Sequence, residues 1–261
     1  MTLLWWQGLI LGLVQGLAEF LPVSSSGHLV LAEAALGYHS PGVTFEVMLH
    51  LATLLSVVIV YARRLTWIVR GMVIGEADSW RFAGRVVLAS VPAAVAGLLF
   101  QDFFERQFDS LTVVGVDFLA TALILWSTRW APPSPAEQPV GTRSALLMGL
   151  AQVLAILPGV SRSGTTITAG LWSGSGARAA AEFSFIMAVV VIAGSGLLEA
   201  RHMVGGGGLS VGEVWAFVAA LVSGVAAIRL LVMLLRRGRF HLFAPYCAAV
   251  GLGTLWWSFW R

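Results

Sequence analysis

The chain has 261 residues, 58% of them hydrophobic and 11% charged, with a formal net charge of +3. A mean hydropathy of +0.85 excludes an ordinary water-soluble domain and fits a polytopic membrane protein. All sixteen basic residues are arginine, which excludes Schiff-base and lysine general-base chemistry. The arginines stand beside apolar runs, the pattern of the positive-inside rule, and no nucleic-acid partner is expected. Cys247 is the single cysteine, so neither a disulfide framework nor a cysteine metal cluster is expected.

Residues 3–18 are largely apolar and then meet Glu19 and Pro22. A helix of that length reaches roughly 24 Å, short of the hydrocarbon core at ~30 Å. After Ser24-Ser25-Ser26-Gly27-His28 the chain is apolar again to Leu36, then turns at Gly37 and Pro41. A re-entrant helical hairpin is predicted. No secretory signal peptide is expected, because this first run lacks a positive n-region. Residues 44–61, 86–100 and 111–128 are predicted spans. A loop carrying Arg63, Arg64, Arg70, Arg81 and Arg85 follows the first, and an acidic loop over 101–110 follows the second.

The proline-rich stretch 129–143 separates two membrane repeats, 1–128 and 144–261. In the second, residues 144–157 end at Pro158-Gly159, a turn covers 160–166, and a further apolar piece runs to 181. Spans are predicted over 183–198, 214–235 and 242–260, with 205–208 a glycine loop. Interfacial tryptophans (Trp5, Trp6, Trp256, Trp257, Trp260) fit aromatic belts.

The two halves share a duplicated stretch. Residues 12–27 and 149–164 align without a gap at an offset of 137 and agree at nine of sixteen positions. Gln15/Gln152, Ser24/Ser161, Ser26/Ser163 and Gly27/Gly164 match, so apolar composition does not explain the likeness. Arginine loops 62–85 and 236–241 are expected in the cytoplasm and the acidic loop outside. A hairpin plus three spans per half then makes the halves inverted, with both broken tips meeting near the midplane. The predicted fold is an all-α integral membrane protein built as an inverted repeat.

The second tip, residues 158–166, has the parts of an oxyanion cradle. Ser161, Ser163, Gly164 and Thr166 supply hydroxyls, N–H groups and close approach, and Arg162 supplies a planar fork suited to phosphate. In the first tip, Gln15 and Glu19 are four apart on one helix face, where Glu19 could bind a divalent cation with Gln15 as a weaker oxygen ligand. Ser24 and Ser26 flank Ser25, and His28 lies three residues beyond it; of Ser25 and His28, one can attack and the other carry a proton. Glu46 and His50 either border this site or serve helix–helix hydrogen bonding. Arg178 and Glu182 form an i, i+4 pair in the less favourable order.

The string Q-G-L-A-E-F-L-P-V-S-S-S-G-H, followed downstream by P-G-V-S-R-S-G-T-T, resembles the two signature motifs of the bacterial undecaprenyl-diphosphate phosphatases of the bacitracin-resistance type. The resemblance extends along the chain, including T-F-E-V at 44–47 and E-F-S-F at 182–185. It implies a multi-pass enzyme of the bacterial inner membrane that removes the terminal phosphate of a C55 isoprenyl diphosphate, recycling the lipid carrier for cell-wall synthesis. A divalent cation, Mg or Ca, would assist. By position the family's acidic motif falls on Gln15 and Glu19, its serine and histidine on Ser25 and His28, and its phosphate-binding motif on Ser161, Arg162, Ser163 and Thr166. Gln15 departs from the glutamate of many members, leaving Glu19 as ligand or base. The competing reading is an inverted-repeat transporter or flippase for an anionic lipid. The nucleophile (Ser25, His28 or water), the isoprenoid length and a homodimer stay open.

Overall fold

The computed structural model describes residues 3–38, 43–135, 137–203 and 210–260. The expected turn at Pro41 and the 205–208 glycine run lie outside the described residues. Twelve α-helices and two short 3-10 turns form among the described residues, with no strand. They are α1 (Trp5–Phe20), α2 (Ser25–Leu36), α3 (Val43–Val60), α4 (Ala62–Val73), α5 (Ala77–Leu99) and α6 (Gln101–Phe108). The second run is α7 (Leu111–Ser127), α8 (Thr142–Leu154), α9 (Arg162–Trp172), α10 (Ala177–Met203), α11 (Val211–Arg236) and α12 (Ala244–Ser258).

Both breaks in the duplicated stretch have a local cause. Leu21, ahead of Pro22, is extended at φ −63° and ψ 146°, the conformation a following proline imposes, and α1 ends there. Ser24 then caps α2 by accepting from the Gly27 N–H at 3.4 Å, and α2 stops at Gly37 in the left-handed region. The second copy behaves alike: Ser161, the match of Ser24, caps α9 by accepting from the Gly164 N–H at 3.1 Å.

Two expected loops are helical. Residues 62–73 form α4, bent 78° from α3, because Leu65, Ile68 and Met72 recur at helical spacing beneath the arginines and pack into the core. The acidic segment forms α6. α5 also starts earlier than predicted, at Ala77, and carries Arg81 and Arg85 within its first turns.

Four helices are long and apolar enough to cross a membrane, at 77–99, 111–130, 177–197 and 211–236; the bent α3–α4 pair raises this to five if it is one span. The final predicted span contains a 3-10 turn (Phe240–Phe243) and the 15-residue α12, so it falls short by length. The outward faces match a lipid environment. Val87, Val91 and Val95 of α5, and Val214, Val218 and Val222 of α11, form exposed apolar stripes at a spacing of four. This is a multi-pass membrane protein.

Helices of one half pack on helices of the other. α1 lies along α11 and α8 along α5, while α3 meets α10 and α7 meets α12. Close approach explains two matched glycines. A Cβ on Gly12 would overlap the Ala216 backbone of α11, and one on Gly149 the Ala89 backbone of α5. Small residues at such crossings let backbones touch, the main source of cohesion where lipid removes the hydrophobic drive. Phe20, Leu125, Ile167, Phe185, Ile228 and Leu231 form a fully buried cluster, with Phe20 and Phe185 edge to face at 5.6 Å. Phe20 closes α1 immediately after Glu19, so this packing fixes the base of the first tip.

Candidate active site

The two helix breaks meet. Ser24 Oγ accepts from the Gly159 N–H at 3.1 Å, and Ser163 Oγ donates to the Leu21 carbonyl at 3.2 Å. Thr121 of α7 holds the second tip from outside it. Its hydroxyl donates to the Gly159 carbonyl at 2.8 Å and accepts from the Ser161 N–H at 3.0 Å. Ser24 pays for this junction with a positive φ of +68°, a sparsely populated backbone that costs roughly 1–3 kcal/mol for an L-residue. Its hydroxyl accepts from the Gly27 and Gly159 N–H groups and meets the Ser26 hydroxyl, and its carbonyl accepts from His28.

Glu19 sits at the centre, its side chain 6% exposed. Arg162 Nη2 donates to Glu19 Oε1. Ser25 Oγ donates to Oε2 at 2.6 Å, and Gln15 Nε2 to the same oxygen at 3.1 Å. His50 Nε2 lies 3.9 Å from Oε2, so His50 does border the cluster, while Glu46 is exposed. A buried carboxylate held by a guanidinium and two neutral donors has its desolvation offset by charge-assisted hydrogen bonds. Ser25 has its hydroxyl proton aimed at a carboxylate, the arrangement that activates a serine.

His28 faces elsewhere. Its Nδ1 lies 2.7 Å from the Ser24 carbonyl and its Nε2 2.8 Å from the Tyr246 hydroxyl. Ser25, Ser26, His28 and Arg162 are half-buried and open to a ligand, whereas Ser24, Ser161, Ser163, Gly164 and Thr166 are buried. The buried hydroxyls serve the tip itself. Ser161 and Ser163 share a hydrogen bond at 3.3 Å, and Thr166 donates to the Arg162 carbonyl at 2.7 Å and bonds Ser184 at 2.7 Å. Ser24 and Ser26 are 3.3 Å apart at their hydroxyls. Thr121 and Tyr246 carried no signal in the sequence, each a single polar residue outside the duplicated motif, whereas Ser184 lies in the E-F-S-F stretch. Arg178 and Glu182 do not pair with each other; Arg178 takes Glu137 at 2.9 Å and Glu182 takes Arg64 at 2.8 Å.

The donor set for a cation is sparse. Among the described residues no group of three or more His, Cys, Asp or Glu could hold a metal ion. Gln15 Oε1 is nevertheless buried without a hydrogen-bond partner, next to the Glu19 carboxylate. Glu19 and Gln15 would thus offer a Mg²⁺-like ion one carboxylate and one amide oxygen, few ligands but of the oxygen type such an ion takes.

Fold and site together define a multi-pass helical membrane protein with a polar cluster closed between two helix breaks. The family model described as "Bacitracin resistance protein BacA" matches residues 8–253, and the chain belongs to that family. It is 36% identical to an undecaprenyl-diphosphatase of Desulforapulum autotrophicum, covering 95% of this chain and 96% of that protein. It is 40% identical to one of Desulfosudis oleivorans, covering 96% and 97%, and 37% identical to one of Bacteroides fragilis, covering 96% and 97%.

Proposed function

We propose that this protein hydrolyses undecaprenyl diphosphate to undecaprenyl phosphate and inorganic phosphate in the bacterial cytoplasmic membrane. The relatives' names supply the substrate; the observation that carries the chemistry is the Ser25 hydroxyl at 2.6 Å from a carboxylate that also holds Arg162. A carrier needs groups that bind an anionic lipid, but it has no use for a serine activated in this way.

Ser25 Oγ attacks the terminal phosphorus and its proton passes to Glu19 Oε2. The bond from that phosphorus to the bridging oxygen breaks, and the lipid leaves as its monophosphate. Arg162, with guanidinium nitrogens beyond the one bound to Glu19, meets the charge on the transferring phosphoryl group. Water then attacks the phosphoserine and yields a proton to His28 Nε2, while Ser25 recovers its own from Glu19. Proton transfer from His28 to the departing phosphate closes the cycle. Glu19 and Gln15 would hold a divalent cation, which would supply charge neutralisation at the diphosphate.

The halves are read as an inverted repeat with re-entrant hairpins α1–α2 and α8–α9. The exchanged packing of α1 on α11 and α8 on α5 supports this, as does the shared capping role of Ser24 and Ser161. Purified protein given a C55 or C15 prenyl diphosphate should release inorganic phosphate, with the rate falling on addition of chelator. A protein that binds the lipid and releases none is not this enzyme.

A further inference from the structure

Tyr246 lies in the first turn of α12 (Ala244–Ser258), far from both duplicated motifs in the chain. Its neighbour Cys247 is buried and its thiol donates to the Pro22 carbonyl at 3.6 Å. This contact sets the start of α12 against the first helix break. The Tyr246 ring lies parallel to the His28 ring, 4° between planes and 5.7 Å between centroids. His28 and Phe118 are also T-shaped, 5.0 Å between centroids. The imidazole is therefore in contact with two aromatic rings and bonded at both nitrogens.

Those bonds assign the tautomer. The Ser24 carbonyl can only accept, so Nδ1 carries a hydrogen and donates to it at 2.7 Å. In neutral His28, Nε2 is then the lone-pair nitrogen and accepts from the Tyr246 hydroxyl at 2.8 Å. A phenol both donates and accepts. When Nε2 takes up a proton, the N–H can donate back to the Tyr246 oxygen, so the contact survives in either protonation state. Only a group with both capacities can orient a ring that cycles between the two; a backbone carbonyl or an ammonium cannot.

We propose that Tyr246 is a positioning residue that orients the His28 ring for proton transfer during turnover, its hydroxyl holding Nε2 in both protonation states while the Ser24 carbonyl fixes the Nδ1–H tautomer. This role presupposes the phosphatase activity and assigns to the last helix a part in a site otherwise built from the two duplicated tips.

Tyr246→Phe removes the hydroxyl and keeps the ring that stacks on His28. Full-length protein in lipid nanodiscs, assayed on a C15 prenyl diphosphate, should lose about tenfold to a hundredfold in kcat with KM within about threefold, the range expected when a reacting group is misplaced. Nitrogen-15 spectra of histidine-labelled protein, with the His28 signal identified by its loss in His28→Gln, should show an Nε2 resonance that shifts on Tyr246→Phe. Unchanged kcat, an unmoved Nε2 resonance, or a loss shared by KM and thermal stability would each overturn the role. The parent reading fails separately: wild-type protein that releases no phosphate removes the phosphatase activity and this role with it, whereas active wild type matched by Tyr246→Phe removes only the role of Tyr246.

Discussion

Ser25 and Arg162 stand at matched positions of the duplicated stretch, 137 residues apart, and both donate to one carboxylate, Glu19. The duplication has thus diverged at one position into a hydroxyl in one tip and a guanidinium in the other. The position matched to Glu19 is Ile156. Consistent with that loss, Gln152, the match of Gln15, is buried with neither side-chain polar atom partnered among the described residues.

Arg162→Lys keeps the positive charge and loses the planar fork that can face Glu19 and a phosphate together. Phosphate release should fall by about a hundredfold or more, equivalent to roughly 3 kcal/mol of lost transition-state stabilisation. Steady-state assay at saturating substrate checks it; near wild-type turnover removes Arg162 from the site.

The site was legible in part, and the division has a physical basis. Proline breaks, serine caps and a repeat at constant offset are local features, so the sequence alone located both tips and brought Glu19, Ser25 and Arg162 to one place. Local pattern did not reveal that Thr121 would clamp the second tip or that Tyr246 would meet His28. Those contacts depend on how α7 and α12 pack, and each helix otherwise reads as an ordinary apolar segment. Likewise, counting arginines in 62–73 suggested a loop, while the spacing of Leu65, Ile68 and Met72 makes it a helix. Ser161, Ser163 and Thr166 were expected on the substrate, yet the structure buries them in the tip's own hydrogen bonds.

Cation dependence should run through Glu19. Glu19→Gln removes the charge and should abolish or sharply weaken binding of Mg²⁺ or Ca²⁺, whereas Gln15→Glu should preserve or strengthen it. Calorimetric titration of Mg²⁺ and Ca²⁺ into both purified variants decides this, because Glu19→Gln also removes the base that takes the Ser25 proton. Wild-type titration curves in both would place any metal elsewhere.

Thr121→Val is nearly isosteric but leaves the Gly159 carbonyl and the Ser161 N–H without their shared hydroxyl. Each unsatisfied buried group costs about 1–3 kcal/mol, so the melting temperature should drop and Arg162 should lose its fixed position. Thr121→Ser, which keeps the hydroxyl, should retain most activity and stability. Equal behaviour of the valine and serine variants would show that the clamp is dispensable.

Gly12→Leu and Gly149→Leu drive side chains into the backbones of Ala216 and Ala89, and each should destabilise by at least the 1–3 kcal/mol typical of overpacking. Gly97→Ala, with no atom within 4 Å of an added Cβ, should be neutral or stabilising through helix propensity. Thermal unfolding in detergent compares the three; a tolerated leucine at either crossing contradicts the close helix contact.

The mechanism stands or falls on where the phosphoryl group goes. Ser25 donates to Glu19 Oε2 at 2.6 Å, while among the described residues His28 makes no hydrogen bond to Glu19 or Ser25. This favours serine attack over histidine attack. The direct measurement is rapid acid quenching of the purified enzyme turning over a prenyl diphosphate labelled in its terminal phosphate, followed by peptide mapping. The account predicts acid-stable label on Ser25, absent from Ser25→Ala, which should bind substrate yet lose turnover almost completely. Acid-labile label on His28, or full turnover by Ser25→Ala, would contradict it.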